Sequence, residues 1–515
     1  MVAEMIQLHR KNIIWGRSAE CCLLAVFASF IVVTIVGAEN SVFAEGLKFQ
    51  PVAGQRQLFL DDVGIAQLEN LKRTMHSPTK KGAVIRPNWH LGVLSLQTRT
   101  SPVWDDKKKV FKFWDCAASP PDLYAIGKQC TGYYESPDGL NWSKPVLGQI
   151  EYDRWPQNNY ISLTSQGRHV RVDYVVRDLT DPDPSRRYKA ALPPIGFAVS
   201  PDGIHWEMLP DVKGVPSEDE ANFSFDVQSQ LFILTVKRGG PHGRAVHLET
   251  STDFLNWTNH GLIFHADDRD QELGRHRILA RLADPTMQQL VGNDPSRYNV
   301  DVYNMGVFRY ESLYIGTPAM YHATGPSADG SNTDGFHEVQ LVCSRNLKSW
   351  KRLGDREPFI ATSRTGAGAY DLTGMIGPSN AVMRGDELWF YYTSGKYRRQ
   401  PDLVEPDNHG ISLAVLRRDG FISLDAGDTS GTLVTEAFTV SGSELLVNVN
   451  AVQGELLVEV LNQEGKLVAR SKPMSGDLLH EQVEWVEGNI IDLKSQDVSL
   501  SFTVRNAQFY SYWLD

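Results

Sequence analysis

A seven-residue phrase occurs four times in this chain: a serine, an acid or its amide two places later, and a tryptophan six places after the serine. The copies are Ser136-Pro-Asp138-Gly-Leu-Asn-Trp142, Ser200-Pro-Asp202-Gly-Ile-His-Trp206, Ser251-Thr-Asp253-Phe-Leu-Asn-Trp257 and Ser344-Arg-Asn346-Leu-Lys-Ser-Trp350, at intervals of 64, 51 and 93 residues. Each follows an alternating, strand-like run. Recurrence on this scale marks a repeat architecture, in which one supersecondary unit buries its apolar face against the next. Ser, Asp and Asn side chains hydrogen-bond the backbone of tight turns, glycine accepts positive φ, and the indole is a large apolar plate where the chain re-enters packed structure. The phrase therefore predicts a hairpin turn that wedges one propeller blade against another. It speaks of scaffold, not of chemistry.

The rest of the chain fits that reading. Strand-like runs include Val110–Trp114 and Gly132–Glu135, Val170–Val176 and Tyr188–Ala191, Leu231–Val236 and Ala245–Glu249, Val302–Tyr310 and Val339–Val342, and Glu387–Thr393 with Gly410–Leu416. They make five blades, the fifth without the turn phrase. No long stretch shows the 3.6-residue period of a helix, apart from the N-terminus. After about Gly431 come Glu444–Val449, Glu455–Leu461, Val498–Val504 and Phe509–Trp513, strands at sandwich spacing. The expected fold is all-β: a five-bladed β-propeller over 45–428, followed by a C-terminal β-sandwich over 429–515. Asp419–Gly427 is the expected junction.

The net charge of −11, with Lys107–Lys109 as its longest basic cluster, argues against nucleic acid or an anionic membrane surface as a partner. Residues 1–44 read as an export signal or an N-terminal anchor: a positive flank of His9, Arg10, Lys11 and Arg17, an apolar run over Leu23–Val36, and small residues around Ala38 and Ala44. That run is short for a spanning helix. Beyond Cys21 and Cys22, the chain has only Cys116, Cys130 and Cys343, which allow one disulfide at most, with Cys116 and Cys130 the neighbours able to pair. No Cys or His spacing suggests a metal site, and no cofactor is expected.

The turn phrases resemble those of the five-bladed glycosidases, glycoside hydrolase families 32 and 43 and their relatives. A propeller followed by a sandwich also resembles family 32. The chain is more closely similar to a group of exported, family 32-like bacterial proteins through Gln57-Leu-Phe-Leu-Asp-Asp62, Gly385-Asp-Glu-Leu-Trp-Phe-Tyr-Tyr392, Arg418-Asp-Gly-Phe-Ile-Ser-Leu-Asp-Ala-Gly427 and Phe509-Tyr-Ser-Tyr-Trp513. The Asn-Asp-Pro-Asn stretch that holds the family 32 nucleophile in blade one does not occur. The Arg-Asp-Pro motif has only the echo Arg177-Asp178-Leu179, and the Glu-Cys acid motif is missing. The resemblance implies a propeller acting on carbohydrate, and transfers fold more directly than mechanism.

Glycoside cleavage needs two carboxyl groups across one bond, one protonated and one ionised. Residues early in each blade's innermost strand line the central funnel of a propeller. On that basis the expected catalytic set is Asp178, kept ionised by Arg177; Asp301, opening a blade-four strand; Glu338, with a pKa raised by burial against Phe336, as the acid; and Asp371, in a glycine-rich approach to blade five, as modulator or sugar ligand. Arg177, Arg244, Tyr303, His322, Tyr370 and Tyr392 are the expected sugar contacts, with Arg86 as a further donor. Asp226 and Glu220 form a reserve beside blade three, and no acid accompanies Trp89-His90 where blade one would want one. Each of these residues also has a structural alternative as a strand cap, loop acid or blade anchor. The functional expectation is an exported glycoside hydrolase binding oligo- or polysaccharide, with a non-catalytic carbohydrate-binding or surface-assembly propeller as the alternative.

Overall fold

The structure is a computed structural model that describes residues 49–515 apart from 92, 94, 95, 117, 118, 329, 367 and 399–407. Residues 1–44, read above as an export signal or anchor, lie outside the described residues with Cys21 and Cys22, as does the side chain of Trp89.

Five antiparallel sheets follow one another along the chain as the blades of a propeller. Blade one is Val103–Asp105, Val110–Asp115, Thr131–Ser136 and Tyr160–Ile161; blade two is Tyr174–Arg177, Tyr188–Leu192, Gly196–Ser200 and Glu207–Met208. Blade three is Ala221–Asp226, Leu231–Gly240, Gly243–Ser251 and Thr258–Phe264. Blade four runs from Asn299–Tyr310 through Leu313–Pro326, Thr333–Val339 and Val342–Ser344 to Lys351–Arg352. Blade five has Gly374–Ile376 and Ala381–Arg384 paired with Glu387–Gly395, then His409–Arg417. Its outer strand comes from the other end of the chain: Thr79–Ile85 pairs with His409–Arg417, Ile85 opposite Ile411 and Thr79 opposite Val415. The ring is thus closed by strands more than 300 residues apart in sequence.

The repeated phrase forms the same Asx turn four times, and in all but the third copy the indole N–H also donates to the fourth residue's carbonyl, as the first copy shows. Ser136 Oγ accepts from Gly139 N at 2.8 Å, Asp138 Oδ1 accepts from Leu140 N and Asn141 N at 2.8 Å each, and Trp142 Nε1 donates to Gly139 O at 3.1 Å. The fourth residue of each copy is left-handed: φ is +74° at Gly139, +78° at Gly203, +66° at Phe254 and +65° at Leu347. At the first two positions only glycine fits, because an added Cβ would sit 2.7 Å from the Tyr391 hydroxyl at Gly139 and 2.7 Å from the Trp114 ring at Gly203. At the other two the backbone cost is offset by burying a large apolar side chain. Each turn docks on the blade before it. Tyr391 of blade five donates to Gly139 O at 2.7 Å, and Trp114 of blade one to Gly203 O at 2.8 Å. Trp257 stacks on Phe197 of blade two at 4.8 Å, and Leu347 joins Ile233 and Leu248 of blade three in one apolar cluster.

The C-terminal sheet is larger than the sequence suggests. Its spine is the long strand Leu445–Asn462, paired along one edge with Asp497–Arg505 and Ala507–Leu514 and along the other with Leu467–Ser471 and Met474–Gln482. Gln57–Leu58, Ile65–Glu69 and Lys72–Met75, which fall in the 45–428 segment assigned to the propeller, pair instead with Ala507–Leu514, Gly431–Thr435 and Ile422–Ala426 of this sheet. The junction is fixed by Asp419, fully buried and with φ +63°. It accepts from Tyr310 of blade four at 2.6 Å, from Ser511 at 2.6 Å and from Asn448 at 3.1 Å in the sandwich, and it is ion-paired with buried Arg56.

Two expectations are corrected. A sixteen-residue helix, Asp268–Ala283, lies between blades three and four. It has no apolar stripe to reveal it, because it docks through Gly274, Ile278 and Arg281, and its sequence signal is the capping box in which Asp267 and Asp270 each accept from the other's backbone N–H at 3.0 Å. Cys116 and Cys130 are separate buried thiols, not a disulfide; burial pushes them up to about 12 and about 11.

Two stability outcomes follow. Gly203→Ala pays both the left-handed backbone cost and the Trp114 clash, and loses about 2–4 kcal/mol by denaturant unfolding, whereas Gly148→Ala, with φ +66° and open space around it, loses about 1 kcal/mol. Asp419→Ala leaves Arg56 buried without its counter-charge and costs about 3–5 kcal/mol, read as a lowered Tm.

Candidate functional site

The innermost strands of the five blades are stitched around the axis by polar side chains. Thr100 Oγ1 donates to Asp173 O at 3.0 Å and accepts from Val175 N at 2.9 Å, joining blades one and two. Tyr174 OH accepts from Ala221 N at 3.0 Å, joining two and three. Asn304 Nδ2 donates to Asn222 Oδ1 at 2.9 Å, and Gly377 N to Asn304 Oδ1 at 3.2 Å, linking blades three, four and five. Asn222 Nδ2 donates to Ser379 Oγ at 2.6 Å, and Ser379 Oγ to Arg99 O at 2.7 Å, which returns the circuit to blade one.

Above this girdle, at the starts of the inner strands, stand two carboxyl groups and one guanidinium. Glu220, just before Ala221–Asp226, is buried in a two-point ion pair with Arg99, whose Nε lies 2.7 Å from Oε2. Arg99 also donates to Gln97 Oε1 at 2.7 Å and to Cys116 Sγ at 3.2 Å. Asp173, just before Tyr174–Arg177, is 3.3 Å from Arg171, and its Oδ1 is buried without a hydrogen-bond partner. Burial raises the Asp173 carboxyl above its ordinary value; Arg171 and Arg99 oppose this without cancelling it, and the charge of Glu220 adds to the rise. One carboxyl is biased towards its protonated form beside another fixed by a cation. Blade one brings Arg99 to the same level, just before its inner strand.

The wall over blades three to five is aromatic and cationic. Glu220, Lys237, Asn222, Tyr303 and Asn304 line one crevice. Lys237, ion-paired with exposed Asp219, lies 4.3 Å over the Tyr303 ring. Arg244 lies 4.9 Å over Tyr303 and 4.6 Å over Tyr321, and holds Asp301 with two bonds of 2.8 Å. His337 packs 4.8 Å from Tyr303 and 4.7 Å from Tyr321. Burial, with Arg398, Arg244 and His322 nearby, drives its imidazole well below the ordinary value, so it is neutral at pH 7.

Several residues named from sequence lie elsewhere. Asp178 follows the inner strand that Asp173 precedes, about 16 Å away along an extended chain. It caps a hairpin by accepting from Thr180 N at 2.8 Å, and despite burial it is held low by Lys189 at 2.8 Å, not by Arg177. Asp105 and Asp226 cap the equivalent turns of blades one and three, so this is a second structural repeat. Arg177 pairs with Asp106 and lines an axial cavity of about 250 Å³ on that opposite side, with Val103, Val175, Phe223 and Val382. Glu338 points away from His337, towards Asp268–Ala283. Burial would raise it, but His322 at 3.5 Å, Arg277 at 3.7 Å and Arg281 outweigh that and hold it low, the reverse of what an acid catalyst needs. His322 is stacked on Phe336 on that side. Asp371 is locked inside blade five by Lys80 at 2.7 Å and by the Tyr392 hydroxyl at 3.0 Å, which removes both it and Tyr392 from the funnel. Tyr370 is buried, its ring facing Lys396 at 4.7 Å and Arg86 at 5.4 Å.

Of the expected set, Asp301, Arg244 and Tyr303 reach the funnel mouth, and Glu220 enters from the reserve. Asp173, Arg99, His337 and Arg398 are additions. The signal for Asp173 was available: it is the one acid in the apolar run Val170–Val176. Among the described residues no group of three or more His, Cys, Asp or Glu side chains is arranged to hold a metal ion.

No family model and no curated protein matches the chain. Solved structures similar in fold include a glycoside hydrolase family 32 β-fructofuranosidase of Bombyx mori, 10% identical, with 84% of this chain and 93% of that one covered and a TM-score of 0.40. A family 43 arabinoxylan arabinofuranohydrolase from Bacillus subtilis is 10% identical over 84% of this chain and 99% of its own, with a TM-score of 0.37. A glycosyl hydrolase from Bacteroides ovatus is 14% identical over 68% and 94%, with a TM-score of 0.34.

Proposed function

We propose that this is an exported carbohydrate-active propeller that cleaves glycosidic bonds at the funnel mouth, with Asp173 as the proton donor and Glu220 as its partner carboxylate. The observation that carries the reading is the difference between two neighbouring acids: Asp173 is pushed towards its neutral form, and Glu220 is paired with Arg99. Two carboxyl groups with divergent environments are what glycoside hydrolysis requires. The girdle of Asn222, Asn304 and Ser379 fixes the floor beneath the two acids.

A second reading is favoured by one feature. Arg99 occupies both oxygens of Glu220, so the funnel would suit a binding propeller that holds sugar without cutting it. The distinguishing measurement is hydrolysis across an oligosaccharide panel alongside calorimetric binding of the same sugars. Binding without any turnover decides for the second reading.

For the hydrolase, Asp173→Asn lowers kcat/KM on native linkages by about 10²–10⁴-fold, the usual contribution of a general acid. The loss is much smaller on an aryl glycoside, whose leaving group needs no proton. Glu220→Gln lowers turnover on both substrates, and Asp178→Asn changes neither. Equal losses on the two substrates in Asp173→Asn would rule out its role as acid.

The pH dependence has a definite sign. A carboxyl with a raised pKa keeps its proton to higher pH, so its action as acid is complete below that pKa and declines as pH rises through it. The kcat/KM profile on native linkages therefore has an alkaline limb in the wild type that flattens in Asp173→Asn.

A further inference from the structure

The aromatic wall of the funnel carries more hydrogen-bond donors than the protein itself uses. Arg398 lies 4.4 Å over Tyr321, and its Nε donates to Thr333 O at 3.1 Å; among the described residues no carboxylate pairs with its guanidinium. The neighbouring cations differ in this respect, since Arg244 is held by Asp301 and Lys237 by Asp219. His337 is 2% exposed, and neither ring nitrogen has a hydrogen-bond partner. An imidazole buried between Tyr303 and Tyr321 with both nitrogens unsatisfied carries a desolvation cost that a ligand atom would relieve. Tyr303 adds a hydroxyl on the same wall.

The charge around this spot runs against that of the chain. Arg99, Arg171, Lys237, Arg244 and Arg398 face Asp173, Asp219, Glu220 and Asp301, in a protein of net charge −11. A planar guanidinium whose two terminal nitrogens have no partner among the described residues is a two-point receptor for a carboxylate, and a neutral sugar hydroxyl uses such a fork poorly.

We infer that the funnel mouth takes a sugar bearing a carboxylate, with Arg398 gripping the carboxylate and His337 and Tyr303 hydrogen-bonding the sugar. This rests on the carbohydrate reading above and specifies its substrate class as a uronic acid glycan.

The test is calorimetric binding to the full chain of trisaccharides of galacturonic, glucuronic and mannuronic acid, each beside its carboxyl-reduced neutral counterpart, together with a neutral panel of arabinan, xylan and mannan oligosaccharides. At least one acidic trisaccharide binds tenfold or more tighter than its reduced form. Arg398→Ala, checked for an unchanged Tm, abolishes that preference, while Arg398→Lys retains part of it and Tyr303→Phe weakens the acidic and reduced forms alike. Reduced forms or neutral oligosaccharides that bind as well as the acids overturn the carboxylate assignment and leave the carbohydrate reading standing. Acid preference that survives Arg398→Ala overturns the placement of the carboxylate. Absence of binding to every sugar, acidic and neutral, overturns this inference and the carbohydrate reading together.

Discussion

The circuit of side-chain hydrogen bonds around the propeller axis is the constraint on which the rest of the molecule depends. Inner strands at a propeller axis splay too far apart to share a backbone ladder, so their polar groups would be left without partners unless side chains bridge them. Thr100, Tyr174, Asn222, Asn304 and Ser379 do this from five different blades. A half-satisfied buried network costs more than an apolar core, whereas a closed one is rigid and specific. The floor of the funnel is therefore set before any ligand arrives, and the groups above it stand at fixed separations.

That rigidity explains how Asp173 and Glu220 differ so much at the mouth of one funnel. Both head an inner strand and both are withdrawn from water, yet Arg99 reaches across from blade one to occupy the two oxygens of Glu220. Arg171 makes only a 3.3 Å contact with Asp173 and spends another nitrogen on Cys116 O. Desolvation prevails at Asp173 because its cation is poorly placed, whereas the cation of Glu220 meets it with the geometry of a fork. Arg99, at the start of the blade-one inner strand, gives the funnel its asymmetry and adds to its positive charge.

Much of the architecture was legible in the sequence because the repeated turn has a strict chemical requirement: a serine hydroxyl, an Asx side chain and a left-handed fourth residue must coincide. The site was less legible because strand alternation turns on a single position. Glu338 and His337 are adjacent, so they face opposite sides of the strand Thr333–Val339, and choosing the acid selects the helix-facing side over the funnel. Asp173 and Asp178 present the same difficulty along a strand: both flank Tyr174–Arg177, but only the residue before it lies at the mouth. The Arg-Asp echo at Arg177-Asp178 falls at the opposite end of that strand from Asp173. The helix Asp268–Ala283 escaped notice since it docks through glycine and arginine, leaving no apolar period to read.

The N-terminal strands tie these features into one mechanical unit. Between Gln57 and Met75 the chain belongs to the sandwich, and between Thr79 and Ile85 it becomes the outer strand of blade five. Three residues separate the two roles, too few to let either partner move independently. Lys80, on the closing strand, pairs with buried Asp371, and Asp371 also accepts from Tyr392 in the second strand of blade five. On the other side of the crossover, Arg56 and Asp419 join the chain's start to blade four and to the sandwich strands carrying Asn448 and Ser511. Opening the propeller would thus require breaking a buried ion pair and stripping an outer strand while its neighbour stays anchored in another sheet. A ring closed in this way resists the blade separation that would spread the axial girdle, so the sandwich serves the funnel by holding the strand that closes it.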